Sequence, residues 1–232
     1  MEHLKQFNKI LLSNSFVDDF CKLYYSNPEF KAWLLEILPE VQDCEFQQQD
    51  NPWHIYGCLE HILHSVENIN NQTKHLDSKT RQMLAFVMFL HDIGKPACHI
   101  RRYAQNYGRE VDSFFDHNKK SAEIAHRVLG QFGYTGKQAQ VMEKLVLNHD
   151  IFMFIRLTET NSPFRKKLND EVFENELKDL ESVGDSKELM QYLLYIGRAD
   201  SGAQNPELTK GSFEVLDAMQ NMLDKYKKEK GE

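Results

Sequence analysis

Seven consecutive residues, Leu90-His91-Asp92-Ile93-Gly94-Lys95-Pro96, set an imidazole, a carboxylate, a flexible glycine and an ammonium side by side. A His and an Asp adjacent at a helix end offer one nitrogen and one oxygen ligand to the same cation. That borderline donor mixture suits first-row divalent metals. More such groups stand on a neighbouring helix or at expected helix ends: His61, His117, His149 and Asp200. From a helix end, a ligand can lean towards a shared centre without breaking a packed face. Four imidazoles and two carboxylates exceed the needs of one open catalytic ion. They suit two ions bridged by an aspartate and a hydroxide. The plainer alternatives are a helix-start role for His117, a favourable C-terminal dipole position for His149 and an Asp200–Arg198 ion pair.

The elements that must position these groups read as helices. Met83 to Leu90 is apolar on nearly every side, which predicts a buried helix, Lys79 to His91, capped by Asp77 or Ser78. A helix from Trp53 or His54 to Asn70 is expected to carry His54, His61 and His64, with Leu59, Ile62, Leu63 and Val66 as its apolar stripe. Phe7, Ile10 and Leu11, then Phe16, Phe20 and Leu23, predict two amphipathic helices. Asn27-Pro28 opens a third, which carries Trp33 and Leu34 and stops before Pro39. Residues 39–52 are polar and read as a linker. After Pro96 a basic, polar loop (His99, Arg101, Arg102, Tyr103) is expected to lead through Phe115-Asp116-His117 into a helix from Asn118 to Phe132. Another, from Lys137, ends at Asn148-His149-Asp150. Ser162-Pro163 is expected to open a charged helix to Leu180, and Asp185-Ser186 one that reaches Asp200. A last helix from Ser212 leads into a solvated tail, Lys227 to Glu232. With no strand-like alternation beyond a few residues, no repeat and no glycine-rich phosphate loop, the expected class is all-α.

Composition narrows the function. The 232 residues fit one large domain, or one with a short appendage. A net charge of −7 argues against long nucleic acid held through many phosphates, whereas a small phosphorylated molecule needs only a local cationic pocket. Cys21, Cys44, Cys58 and Cys98 are scattered, with no C-x-x-C pair, which points to reduced thiols and a cytoplasmic protein. No signal, anchor or membrane association is expected, since the longest apolar run is far too short to span a bilayer.

These motifs resemble the HD-domain metal-dependent phosphohydrolases. Glu60-His61-Ile62-Leu63 is similar to the family's first-histidine helix, Met83 through His91-Asp92-Ile93-Gly94-Lys95-Pro96 to its defining motif, and Ala199-Asp200 to its distal aspartate. Phe115-Asp116-His117-Asn118 and Asn148-His149-Asp150 resemble the additional-histidine segments of longer members. Leu38-Pro39-Glu40 and residues 49–61 are also similar to the HD region of bacterial tRNA nucleotidyltransferases. Upstream of residue 38 there is no glycine-serine motif or acidic pair of a nucleotidyltransferase site, so tRNA repair is not carried over.

The resemblance, which spans roughly residues 38–203, implies an HD-domain helical bundle (residues 46–232) behind an N-terminal helical appendage (1–45). It implies a first metal on His61, His91, Asp92 and Asp200, and a second on His117, His149 and bridging Asp92. The expected ions are divalent, two in number, drawn from Mn, Fe, Ni, Co or Mg. The expected activity is hydrolysis of a nucleotide or other small phosphoester, a monoester or a cyclic phosphodiester, through a metal-activated hydroxide. Asp92 and Lys95 are the expected catalytic residues. Lys95, His54, Arg101, Arg102 and Lys119 (with Lys120) are the expected substrate contacts. Two alternatives keep the site: a di-iron oxygenase on the same ligands, and a non-catalytic nucleotide-binding regulatory module. The N-terminal helices, with Phe30 and Trp33 to bury, are expected either to support a homodimer or to pack on the core.

Overall fold

The computed structural model describes residues 2–159 and 161–230, so Gly231 and Glu232 of the expected tail lie outside the described residues. Eleven α-helices among them make the fold all-α: α1 (Glu2–Leu11), α2 (Phe16–Ser26), α3 (Pro28–Ile37), α4 (Glu40–Phe46), α5 (Cys58–Gln72), α6 (Ser78–Leu90), α7 (His117–Val128), α8 (Gly136–Leu147), α9 (Asp170–Leu180), α10 (Ser186–Gly202) and α11 (Lys210–Glu229). No helix among them is long and apolar enough to cross a membrane.

Helix α6 is the axis. Its residues from Met83 to Leu90 are all buried, as apolarity on every face requires. Asp77 caps it, its side chain accepting from the backbone N–H of Lys79 and Thr80. Helices α5, α8 and α10 pack around it and bring the chemistry-bearing ends together. From the other side come the aromatics of α1 and α2. The Phe7 ring meets Phe86 at 5.9 Å, Phe89 at 5.2 Å and Phe132 at 5.6 Å between centroids. Phe7, Phe20 and Phe30 are fully buried in the same continuous core as Ile62 and Leu90. Trp33 packs partly buried against Phe132.

The structure corrects four expectations. Residues 39–52 are no plain linker: α4 turns Val41 and Cys44, three apart, into the core. The helix of His61 begins at Cys58, after an extended Gly57, because the preceding segment spends its backbone elsewhere; Gln47 O accepts from Cys58 N at 2.9 Å, and Tyr56 O accepts from Gln49. The basic loop after Pro96 is an antiparallel hairpin, β1 (His99–Ala104) with β2 (Arg109–Phe114). Apolar alternation could not reveal it, since all of β1 but Ala104 is exposed. Gly108, at φ 62°, supplies the left-handed residue where the chain reverses. Finally, the Ser162-Pro163 helix does not form. Lys166–Lys167 (β4) pairs in parallel with Ile155–Arg156 (β3), and Asn169 caps α9 instead by accepting from Val172 N at 2.8 Å.

Candidate metal centre

Each ligand owes its place to the end or the inner face of a helix. His91 caps α6 and Asp92 follows it in a tight turn, with Lys95 N bonded to Asp92 O at 3.0 Å. His61 lies on the first turn of α5, and Asp200 near the end of α10. Asn68 ties these two helices by donating to Ala199 O at 3.0 Å. His117 opens α7 and His149 closes α8. Asn118 holds those ends together by donating to Leu147 O at 2.9 Å.

Two ligand clusters result: His61, His91, Asp92 and Asp200, and Asp92, His117 and His149. Asp92 belongs to both, and its two oxygens divide between them. Oδ2 lies 3.0 Å from His61 Nε2 and 3.3 Å from His91 Nε2. Oδ1 lies 3.1 Å from His117 Nε2 and 3.6 Å from His149 Nε2. Asp200 Oδ1 completes the first cluster, 3.0 Å from His61 Nε2. The expected Asp200–Arg198 pair is absent, because Arg198 binds Asp217 at 2.7 Å.

The chemistry of the donors fits cations. Every one of the four imidazoles places Nδ1 on a backbone carbonyl: His61 on Ala203 O (3.1 Å), His91 on Met88 O (2.6 Å), His117 on Phe114 O (2.8 Å) and His149 on Val146 O (2.8 Å). A carbonyl only accepts, so each Nδ1 carries the proton and each neutral ring turns a lone pair on Nε2 inward. The lone pairs meet in twos, His61 with His91 at 3.3 Å and His117 with His149 at 3.2 Å. Two acceptors cannot bond each other, and among the described residues the buried Asp92 Oδ1 has no hydrogen-bond partner. A cation between the members of each set satisfies all of these atoms.

In the metal-free fold the carboxylates draw protons to the Nε2 atoms of His61 and His91, and a bound cation would replace them. Burial works against a proton on His61 and on His91, yet the Asp200 and Asp92 carboxylates raise both to about 9. Burial would lift the Asp92 carboxyl too, but His91 and Lys95 hold it well below the usual carboxylate range. Asp200 is likewise depressed, with His61 and His91 overcoming its burial.

Lys95 is buried, not solvent-facing. Its ammonium spends three hydrogens, on Asp92 Oδ2 at 2.5 Å, Gln49 Oε1 at 2.8 Å and His54 Nε2 at 3.1 Å. His54 thus precedes α5 but still comes near His61, ring to ring at 5.4 Å, with its Nδ1 on Asn51 Oδ1. Burial and then Lys95 push its pKa well down, so it stays a neutral acceptor. The other expected substrate contacts are engaged on the hairpin side. Arg101 binds Asp50 at 2.8 Å and Asp112 at 3.0 Å, Arg102 donates to Ser113 Oγ and lies over the Phe115 ring, and exposed Lys119 pairs with Asp116 at 2.8 Å. Lys120 pairs with Glu123.

Sequence reasoning missed Gln49, which is buried and grips Lys95. It sits in a run of three glutamines in which nothing singles it out. It also misjudged Gly94. A Cβ there would lie 2.6 Å from Ser121 N and 2.9 Å from His117 O, so the residue serves close approach to α7 rather than flexibility.

The bundle's helix ends thus converge on two His/Asp clusters that could hold a metal. Residues 58–190, more than half of the chain, match the HD domain family, and the chain belongs to it. It is also 25% identical over 169 residues to the bifunctional uridylyltransferase/uridylyl-removing enzyme of Cereibacter sphaeroides. That alignment covers 64% of this chain but 16% of the relative. Asp200 lies beyond the family match, yet the fold returns it to the cluster.

Proposed function

We propose that the protein is a phosphohydrolase of a nucleotide or other small phosphoester, monoester or cyclic phosphodiester, that works with two divalent ions. The observation that carries this reading is the division of Asp92, one oxygen to each cluster, with Oδ1 otherwise unpartnered. Similarity to a uridylyl-removing enzyme supports it, since removal of a uridylyl group cleaves a nucleotide phosphoester. His61, His91, Asp92 and Asp200 would hold one ion, and Asp92, His117 and His149 the other. Divalent ions there supply Lewis acidity towards phosphoryl oxygens and lower the pKa of water towards neutrality.

The chain's own groups do the rest. Lys95, kept protonated by Asp92 against the cost of its burial, fixes the Asp92 carboxylate and keeps a positive charge beside the clusters. That charge offsets negative charge that develops on a phosphoryl group. Gln49 and His54 hold the ammonium in place.

The test is phosphate release or ring opening from nucleoside monophosphates, 2′,3′-cyclic nucleotides and p-nitrophenyl phosphate esters, with Mn²⁺, Ni²⁺, Co²⁺ or Mg²⁺, beside Asp92→Ala. Metal-dependent turnover that vanishes in the variant is expected. No turnover by protein that binds metal would overturn the reading for these substrates.

A further inference from the structure

Asp112 belongs to neither cluster, yet it is only 6% exposed and both of its carboxylate oxygens are engaged. Oδ1 accepts from His99 Nε2 at 2.9 Å and Arg101 Nη1 at 3.0 Å, and Oδ2 accepts from Asp50 N at 2.7 Å. Its own N–H donates to Asp50 O at 3.0 Å, and its carbonyl accepts from Asn51 Nδ2 at 3.5 Å. Burial works to lift the carboxyl, but His99, the Asp50 N–H and Arg101 hold it below the usual carboxylate range. Strand β2 is thus tied to residues 50 and 51 through backbone and side chain alike. The residues on either side of Asp50 lead to Lys95. Gln49 Oε1 accepts from its ammonium directly, at 2.8 Å. Asn51 Oδ1 accepts from His54 Nδ1 at 2.8 Å, which leaves His54 Nε2 to accept from the ammonium at 3.1 Å. Asp112 and Phe114, two apart on β2, share one face of the hairpin, and the Phe114 ring lies 5.6 Å from the same Nζ.

We infer that Asp112 is a positioning residue: it clasps the strap from Gln49 to His54 to the hairpin, and through that strap it holds Lys95 against Asp92. The effect on turnover rests on the hydrolase reading, whereas the hold on Lys95 does not. Lys95 spends its three hydrogens on Asp92, Gln49 and His54, so none is left over for a substrate. Opening the clasp therefore loosens the ammonium from Asp92 and leaves substrate binding alone. The cost falls on kcat and not on KM. The imidazole ligands keep their own carbonyl anchors, none of which involves the strap or the hairpin's Asp112, so bound metal stays.

Two variants cut the clasp at different points. Asp112→Asn removes the charge and puts a donor where an acceptor stood. Asn51→Ala releases His54 without stranding a charge, and decides the matter alone should Asp112→Asn fail to fold. Hydrolysis of p-nitrophenyl phosphate esters is measured on Mn²⁺-loaded protein, with metal content recorded. In both variants kcat should fall about 10–100-fold, as for outer-shell partners of a metal site, with KM and metal content unchanged. In a Gln49→Ala background Asp112→Asn should cost clearly less, because the two residues act in series on Lys95. A second readout needs no turnover: the ¹⁵N-resolved ammonium signal of Lys95 in metal-free protein, assigned by its absence from Lys95→Arg. Burial and three hydrogen bonds slow proton exchange enough to show it in wild type, and it should vanish in both clasp variants. An unchanged kcat, a loss of bound metal, or a loss that simply adds in the Gln49→Ala background overturns the inference and leaves Asp112 a packing role. So does a Lys95 signal that is missing from wild type or survives in the variants. If wild type cleaves none of these esters, the hydrolase reading fails, and the Lys95 signal alone decides the hold of Asp112 on Lys95.

Discussion

The two ligand clusters share Asp92 but are built differently. The inner one has four protein ligands, three of them with side chains no more than 2% exposed, drawn from α5, α6 and α10. The outer one has three, from the α6 turn, α7 and α8, and His117 is its most exposed member at 13%. A fuller, drier ligand set binds an ion tightly, whereas a set with fewer protein ligands leaves positions for substrate or water. On the proposed two-ion reading, the inner cluster would retain its ion and the outer would exchange its own.

The largest way to break this comparison is Asp92→Ala, which removes the shared ligand. Metal content should fall below one ion per chain and phosphoester turnover by on the order of 10³-fold, checked by elemental analysis and phosphate release. Next come the ligands that separate the clusters. His149→Ala should leave one bound ion per chain, while His61→Ala should release the inner ion and weaken the outer. Equal losses from the two variants would erase the distinction. Gly94→Ala sharpens it: the added Cβ presses on Ser121 N and His117 O, so outer-site affinity should fall about 10–100-fold while the inner ion stays. Titration with Mn²⁺, followed by electron paramagnetic resonance, resolves the two.

The smallest effect is on stability against pH. His61 and His91 sit at about 9 in the metal-free fold, against an ordinary 6.5. A raised folded-state pKa gives stabilisation that is whole below 6.5 and is lost as pH rises through about 9. Metal-free protein should therefore show a falling Tm from pH 7 to pH 9. Mn²⁺ should flatten that fall, because it replaces the protons.

The sequence announced the inner cluster better than its surroundings. An apolar run that ends in His91-Asp92 is legible because a buried helix and a ligand pair each leave a strong local pattern. The strap from Gln49 to His54 is not, since its role depends on what Lys95 meets after folding. The hairpin hid for a related reason: β1 is exposed except for Ala104, and β2 buries Val111, Asp112 and Phe114 without a regular apolar alternation. The turn at Ser162-Pro163 carried a genuine helix signal, but strand pairing and the Asn169 cap outweighed it. Arg101 and Arg102 looked free in the sequence because their acidic and hydroxyl partners lie across the hairpin or in the strap.

The carbonyl anchors also order events in time. His91, His117 and His149 are each steadied by a carbonyl three residues earlier, so their orientation is available as soon as a local turn closes. His61 waits for Ala203, 142 residues away. Its ring is held with Nε2 inward only when α10 has docked on α5, and closing so long a loop costs more chain entropy than closing a local turn. An ion seated in the inner cluster would therefore report that distant parts of the chain have found each other.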